Sequence, residues 1–419
     1  MTGAGFLKCF AFHFYLLYPN RTWINRTKTK LELWKNMFKR LINIDKSHKD
    51  SFFLWGPRQS GKSTLLRSEY PDARWIDLLN SEQFIKYQTA PHRLREEVAA
   101  SSLPQMIIID EVQKVPQLLD EVHWLIENRG MTFGLCGSSA RKLRRGHANL
   151  LGGRATRYEL FGLCKMELKN EFNLERLLNV GYLPSHYKSV IAEKKIRSYV
   201  TDYLKEEIAA EGLVRNLPHF SEFLRSAAIG DTEVTSYATI ARDVGVSAET
   251  VKNYYQILED TLIGRMLPAF ARREKRRVSK SPKFYLFDVG IVNNLAKRGK
   301  LSLGSELFGK AYENWFYHEL QCHRAYCDLY YDIAYWQISA HTEVDFILGD
   351  MEVAIEVKGT DRVRSDHLKG LRAISEDHPN IRQRILVCCE TISRKTEDGI
   401  LIIGHEEFLD RLWSGEIIS

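Results

Sequence analysis

Apolar residues along this chain are arranged in two contrasting ways. Phe52-Phe53-Leu54-Trp55, Met106-Ile107-Ile108-Ile109 and Thr132-Phe133-Gly134-Leu135-Cys136 are short runs without alternation. Such runs predict strands buried on both faces of a parallel sheet. Each ends in a polar segment: Gly56-Pro57-Arg58, Asp110-Glu111 and Gly137-Ser138-Ser139. Residues 165–230 read instead as helices rich in Glu, Lys and Leu, broken at Gly181-Tyr182-Leu183-Pro184. Within them, Ser198 to Glu211 places Val200, Tyr203, Leu204 and Ile208 at helical spacing, a core stripe. Thr239 to Gln256 predicts a helix, a tight turn at Gly245 and a second helix capped by Ser247. Further on, Thr342–Leu348 and Met351–Lys358 alternate around Gly349-Asp350 and predict a β-hairpin. With that two-residue turn, position 343 lies opposite 356 and 345 opposite 354. Glu343, Asp345, Glu356 and Lys358 then share one face, with Val344, Phe346, Ile355 and Val357 on the other. Arg384–Cys388 and Gly399–Ile403 supply further strands.

Length and composition set the outer bounds. A chain of 419 residues suggests two or three domains. At 44% hydrophobic and 27% charged it has an ordinary globular composition, and its formal charge of +7 matters only through its placement. The 7 cysteines (9, 136, 164, 322, 327, 388 and 389) show no C-x-x-C spacing, which favours free thiols in a cytoplasmic protein over a disulfide framework or a zinc site. Phe6 to Tyr18 is apolar and aromatic, but too short to span a bilayer, and Pro19-Asn20-Arg21 follows it instead of a small-residue cleavage site. Residues 1–36 are therefore expected to be an upstream extension or a poorly ordered arm before Met37, and no membrane partner is expected.

The chemistry concentrates first at Gly56-Pro57-Arg58-Gln59-Ser60-Gly61-Lys62-Ser63-Thr64, which fits G-x-x-x-x-G-K-[ST] between a strand and a helix. The glycines let backbone N–H groups turn toward a polyphosphate, and the helix N-terminus adds partial positive charge. Lys62 is expected on the β- and γ-phosphates and Ser63 on Mg²⁺. Asp110 is placed to hold that Mg²⁺ through water, and Glu111 to polarise an attacking water, which suits hydrolysis better than group transfer. Ser139 or Ser138 has the position of a sensor 1 residue near the γ-phosphate. Arg154, in Leu150-Leu151-Gly152-Gly153-Arg154, is the candidate arginine finger, ahead of Arg141, Arg144 and Arg145.

These motifs in this order resemble the AAA+ branch of P-loop ATPases, and more narrowly the bacterial and archaeal ATPases that join a short AAA+ core to a DUF4143-type C-terminal region. Besides the motifs above, Val112-Gln113, Phe284-Tyr285-Leu286-Phe287-Asp288-Val289-Gly290, Tyr312-Glu313-Asn314-Trp315-Phe316 and the stretch Glu343 to Lys358 match that family. The resemblance runs from about residue 40 to the end. It implies a five-stranded parallel ATPase sheet, ATP with Mg²⁺ as ligand, and the option of assembly into a homo-oligomer. The expected fold class is α/β: an AAA+ core (37–165), a helical region (166–230), a winged helix-turn-helix-like segment (231–290) and a small α/β nuclease-like domain (291–419).

Two C-terminal features suggest partners. The second helix of the helix-turn-helix resembles a recognition helix carrying Lys252, Asn253 and Gln256. Behind it, Arg272-Arg273-Glu274-Lys275-Arg276-Arg277 with Lys280 and Lys283 sets seven bases against one acid, so DNA contact is expected through residues 247–283. Asp345…Glu356-x-Lys358 resembles the PD-(D/E)xK nuclease signature, with Glu313 on a preceding helix as an additional acid for a divalent cation. The leading expectation is an ATPase coupled to a nucleic-acid-handling module. The alternatives are an ATP-driven switch on protein partners and an ATP-gated, Mg-dependent nuclease.

Overall fold

The computed structural model describes residues 38–46, 50–100, 106–139, 151–207, 214, 216–270, 281–339 and 342–419. The expected N-terminal extension lies outside them. The chain divides into units Met1–Arg40 and Leu41–Ser419, and all that follows concerns the second.

Five parallel strands form the first sheet: β1 (Ser51–Trp55), β2 (Arg74–Asp77), β3 (Met106–Asp110), β4 (Thr132–Gly137) and β5 (Ala155–Glu159), in the order β2-β3-β4-β1-β5. All carboxyl ends therefore open on one edge. There β4 separates the other two motif-bearing strands, with Gly137 beside Trp55 and Cys136 beside Asp110. The apolar runs are unbroken because both faces are covered. Helices α1 (Lys62–Glu69), α2 (Ser81–Thr89), α3 (Arg93–Ala100) and α4 (Leu118–Arg129) surround this sheet. Phe53, Ile107, Ile109, Phe133 and Leu135 pack with Tyr87, Leu94, Leu118 and Val122 on one face. Phe52, Leu54 and Ile108 pack with Leu65 and Leu66 of α1 on the other.

A helical region follows: α5 (Lys165–Leu168), α6 (Leu174–Val180), α7 (Pro184–Tyr187), α8 (Ala192–Ser198), α9 (Leu217–Ile229), α10 (Tyr237–Val244), α11 (Ala248–Asp260) and α12 (Val289–Leu295). Gly245 (φ 74°) ends α10 and the Ser247 hydroxyl caps α11, so the helix-turn-helix forms around the turn chemistry expected of it. A two-stranded antiparallel ribbon, β6 (Gly264–Leu267) with β7 (Lys283–Leu286), comes next. One core, from Leu183 through Phe220, Phe223, Val251 and Leu258 to Ile291 and Leu295, joins α8 to α12 and β7. The expected regular helix over Ser198–Glu211 needs correction: Tyr199–Glu207 is a π-helix, and Ile208 lies outside the described residues. Val200 and Leu204 are nonetheless buried.

The third part opens with α13 (Glu306–Tyr326) and forms a six-stranded mixed sheet. Its strands are β8 (Ile333–Ser339), β9 (Thr342–Leu348), β10 (Val353–Val357), β11 (Gln383–Cys388), β12 (Arg394–Lys395) and β13 (Leu401–Gly404), ordered β12-β13-β11-β10-β9-β8. Helices α14 (Lys369–Asp377) and α15 (His405–Trp413) complete it. The β9–β10 register differs from expectation by two residues. Leu348 pairs with Val353 and Phe346 with Ile355, because the turn spans 349–352 with Gly349 and Met351 both at positive φ. A shift of two preserves the face of every side chain. Continuing the ladder brings Asp345 opposite Glu356. The middle of the charged face is not wet: Asp345 and Glu356 are 2% and 6% exposed, while Glu343 and Lys358 are half-buried.

Candidate functional site

The loop between β1 and α1 needs glycine at two places for separate reasons. A Cβ on Gly56 would sit 2.3 Å from the Leu160 carbonyl oxygen, and Gly61 holds φ 99° immediately before α1. The turn aims the free N–H groups of the α1 N-terminus out of the sheet edge. Lys62 is buried, and its Nζ donates to the carbonyls of Gly56 (2.8 Å) and Pro57 (3.0 Å), arching across the loop. Burial lowers its pKa, opposed by Cys136, Glu111 and Asp110. Ser63 is half-buried and Thr64 exposed.

Asp110 and Glu111 close β3 two strands away. The Cys136 thiol donates to Asp110 Oδ1 at 2.6 Å, and burial together with Asp110 pushes that thiol's pKa well up. Glu111 takes a left-handed backbone (φ 59°), and its Oε2 accepts from Gln113 Nε2 at 2.5 Å. The same Nε2 lies 3.2 Å from Ser138 Oγ. Gln113 thus links the acid at the end of β3 to the serine at the end of β4, a role its place in the sequence did not disclose. Gly137 makes room for it, since a Cβ there would meet Gln113 Oε1 at 2.2 Å. Ser138 rather than Ser139 makes this link; Ser139 is buried beside it.

Arg154 stands elsewhere. It precedes Ala155, which pairs with Ser51 at the start of β1, so it lies at the sheet edge opposite the glycine loop. It is exposed and ion-paired with Glu127 of α4, which rules it out as a finger for the loop of its own chain. Arg141, Arg144 and Arg145 lie outside the described residues.

The helical region clasps the tip of the glycine loop, a contact sequence reasoning missed. Ser185 Oγ donates to Gln59 Oε1 (2.7 Å), Tyr199 OH donates to the Arg58 carbonyl (3.3 Å), and the Arg58 guanidinium lies 5.2 Å from the centre of the Tyr203 ring. A cleft of about 590 Å³ beside the loop is lined by these residues with Lys194 and Lys195. The π-helix carries Tyr199 and Tyr203 to it.

On α11, Lys252, Asn253 and Gln256 are exposed together, Gln256 donating to Asp260 at 3.2 Å. Arg272, Arg273, Lys275, Arg276, Arg277 and Lys280 lie outside the described residues. Lys283 requires correction, because it does not face solvent as a phosphate contact. It is 2% exposed, and its Nζ lies 3.2 Å from Glu313 Oε1, 3.4 Å from Glu343 Oε1 and 3.6 Å from Asp345 Oδ1.

Of the acids expected to form a cation site, Glu313 and Asp345 are thus gathered around an ammonium together with Glu343. Lys358 Nζ adds contacts to Glu356 Oε1 (2.6 Å) and Asp345 Oδ2 (3.7 Å), the Val357 N–H donates to Asp345 Oδ2 (2.9 Å), and the Tyr285 hydroxyl donates to Glu313 Oε1 (2.6 Å). Burial would lower the pKa of Lys283, but Glu313, Asp345 and Glu343 raise it above the ordinary value, so it stays charged. Burial and the Asp345 charge raise Glu356, whereas Lys358 and Lys283 overcome burial to lower Asp345. Among the described residues, no three His, Cys, Asp or Glu side chains are arranged to hold a metal ion. With Lys283 in place the cluster does not fit Mg²⁺. The glycine loop does fit a magnesium-bound polyphosphate: it combines a backbone cradle and an ammonium with two carboxylates at the same edge of the sheet, two strands away.

Comparison with known proteins divides the chain in the same way. Residues 48–169 match the AAA domain family, 171–302 the domain of unknown function DUF8612, and 308–408 the domain of unknown function DUF4143. An uncharacterized protein of Mycobacterium tuberculosis, Rv2008c, is 28% identical over 318 residues, covering 73% of this chain and 70% of the relative. Among solved structures, a Thermotoga maritima RuvB variant aligns at 18% identity over 52% of this chain and 82% of its own, with a TM-score of 0.28. The replication initiator DnaA aligns at 14% identity over 51% and 83%, with a TM-score of 0.27. Scores this low add nothing to the fold, which stands on its own strand order and family matches. Among the described residues no helix is long and apolar enough to cross a membrane. The chain is an AAA+-type P-loop protein in which an AAA domain is followed by a C-terminal DUF4143 domain.

Proposed function

We propose that this chain binds Mg-ATP at the carboxyl edge of β1, β4 and β3 and hydrolyses it. The carrying observation is the convergence there of the glycine loop, Lys62, Asp110 and the linked set Glu111–Gln113–Ser138. The backbone of Gly56 to Lys62 wraps the phosphates, Lys62 leaves its carbonyl partners for phosphate oxygens, and Ser63 and Asp110 hold the metal. Bound Mg²⁺ neutralises charge building on the phosphate oxygens. Glu111 orients and polarises water, and Gln113 fixes where its carboxylate stands. Arg154 serves the nucleotide of a neighbouring copy.

Hydrolysis is coupled to nucleic acid through α11, whose exposed Lys252, Asn253 and Gln256 form one polar face beside the ribbon. The test is phosphate release from Mg-ATP with and without DNA, taking Glu111→Gln as the blank. Turnover lost in the blank and stimulated by DNA, with stimulation fading as salt rises, supports the reading. Equal turnover in the blank overturns the hydrolytic site. Hydrolysis indifferent to DNA shifts the function to a switch on protein partners.

A further inference from the structure

A cleft of about 900 Å³ opens in the helical region between α6, α8 and α12, and all of its lining lies within the DUF8612 match. Its walls carry five bases, Arg176, Arg197, Lys297, Arg298 and Lys300, against two acids, Glu175 and Glu193. Two of the bases are already engaged. Arg176 donates to the carbonyls of Tyr187 and Ser189, and Lys300 pairs with Glu175 at 2.9 Å. Arg197 and Lys297 are exposed, and neither has an ion pair among the described residues. Arg298 is half-buried: its Nη2 donates to the Ala228 carbonyl at 3.3 Å, while Nη1 is buried with no hydrogen-bond partner. Burial pulls the pKa of Arg298 below the ordinary value against the opposing influence of Asp231 and Glu233, so its charge is incompletely compensated.

Three cations against the one remaining acid, Glu193, favour an anion. The volume is that of a small-molecule site. The lining has no aromatic side chain, so a nucleobase finds nothing to stack on. Guanidinium forks and ammoniums match phosphate oxygens, and the half-buried Asn294 amide adds a neutral donor to the same lining. Helix α8 shows this cleft one face and the glycine loop another. Glu193, Ile196 and Arg197, spaced as neighbours on a helix, line the large cleft, whereas Lys194, Lys195 and Ser198 line the smaller one beside the loop. The residue after α8, Tyr199, donates to the Arg58 carbonyl. Lys195 Nζ donates to the carbonyl of Ser185, whose hydroxyl holds Gln59.

We propose that the cleft between α6, α8 and α12 is a second anion site, taking a small phosphate-bearing ligand without an aromatic base, and that its occupancy is transmitted along α8 to the glycine loop. Arg197 reaches the ligand from α8, and Lys297 and Arg298 from the turn after α12, so a bound phosphate draws these two elements together. The loop responds because the ligand prefers one placement of α8, and the coupling is reciprocal. No bond is made or broken. Binding in the cleft and its effect on the loop stand whether or not the loop takes ATP; only the consequence for turnover rests on the nucleotide reading.

The test is calorimetric titration of the full chain with inorganic pyrophosphate, on a Lys62→Met background that removes the glycine loop's own ammonium and keeps its stem. One saturable site per chain is expected. Arg197→Ala with Lys297→Ala, both exposed positions, is expected to weaken binding at least about tenfold, and Glu193→Gln to tighten it. Hydrogen exchange on the same background reads the coupling: pyrophosphate is expected to change the protection of residues 56–61, and to leave it unchanged once Arg197 and Lys297 are gone. Neither arm uses ATP, so a chain that does not hydrolyse ATP leaves both readouts intact. Absence of binding, or equal affinity with and without Arg197 and Lys297, overturns the site. A single-stranded oligonucleotide bound at least about tenfold tighter than pyrophosphate through the same two residues overturns the ligand class. Binding that leaves exchange in the loop unaltered overturns the coupling.

Discussion

Glu111 holds a left-handed backbone that non-glycine residues avoid at a cost of order 1 kcal/mol. That conformation turns the chain so that Asp110 keeps its carboxylate beside Cys136 while the next carboxylate swings to Gln113. The arrangement depends on the missing side chain at position 137. Gly137→Ala brings a Cβ against Gln113 Oε1 and moves the amide that positions Glu111. We expect kcat to fall by about 10²-fold, the usual cost of ångström-scale misplacement, with KM for ATP changed little. Gln113→Ala should match that split in steady-state phosphate release. A variant in which KM rises while kcat holds would mean that Gln113 serves binding and not the positioning of the acid.

At the level of elements, the joint between α5 and α13 rests on a carboxylate that water does not reach. Glu319 Oε1 accepts from the Lys165 N–H (2.8 Å) and Trp315 Nε1 (2.9 Å), while its other oxygen is buried without a hydrogen-bond partner. Burial pushes its pKa up to about 8 from 4.5. The folded form therefore holds a proton that the unfolded chain has released, and this residue's contribution to stability falls as pH rises between those two values. Glu319→Gln, which resembles the protonated acid, is expected to melt close to wild type at pH 5 and above it at pH 8.5. A gap of equal size at both pH values would remove the proton from the explanation. The elements differ in how far the sequence betrays them. Strands β1, β3 and β4 are buried on both faces and announce themselves as apolar runs, and the candidate site residues lie at their ends or in the next few positions. Strands β2 and β5 lie at the sheet edges, are short, and carry half-exposed residues such as Arg74 and Asp77 or exposed ones such as Arg157, so no run marks them. The β9–β10 face was legible because parity survives a two-residue slip. The visit of Lys283 was not, because it joins positions 60 residues apart through tertiary packing alone.

At the scale of the whole molecule, the proposed role of Arg154 assigns the two ends of the parallel sheet to different copies. The glycine loop opens at the carboxyl edge and Arg154 projects at the amino edge, exposed beside Glu127. Specific phosphate release is expected to rise with protein concentration, and Arg154→Ala to abolish the rise while nucleotide binding persists. A concentration-independent rate in wild type would assign Arg154 to the surface alone. Within one copy, α13 runs as a single 21-residue helix, about 30 Å of rigid rod. Its far end is fastened just beyond β5: the Phe161 N–H donates to Tyr326 OH, His318 Nε2 meets the Leu163 carbonyl, and the Lys165 N–H donates to Glu319. Leu160, at the head of that fastening, bonds Trp55 and crowds Gly56. Its near end carries Glu313 against Lys283. The rod is thus a brace: its hold at His318 leaves about 8 Å of helix to Glu313, so a tilt of about 5° there moves that acid by less than about 1 Å. The lysine and the acid it holds are thereby kept in step with the segment beside the phosphate loop.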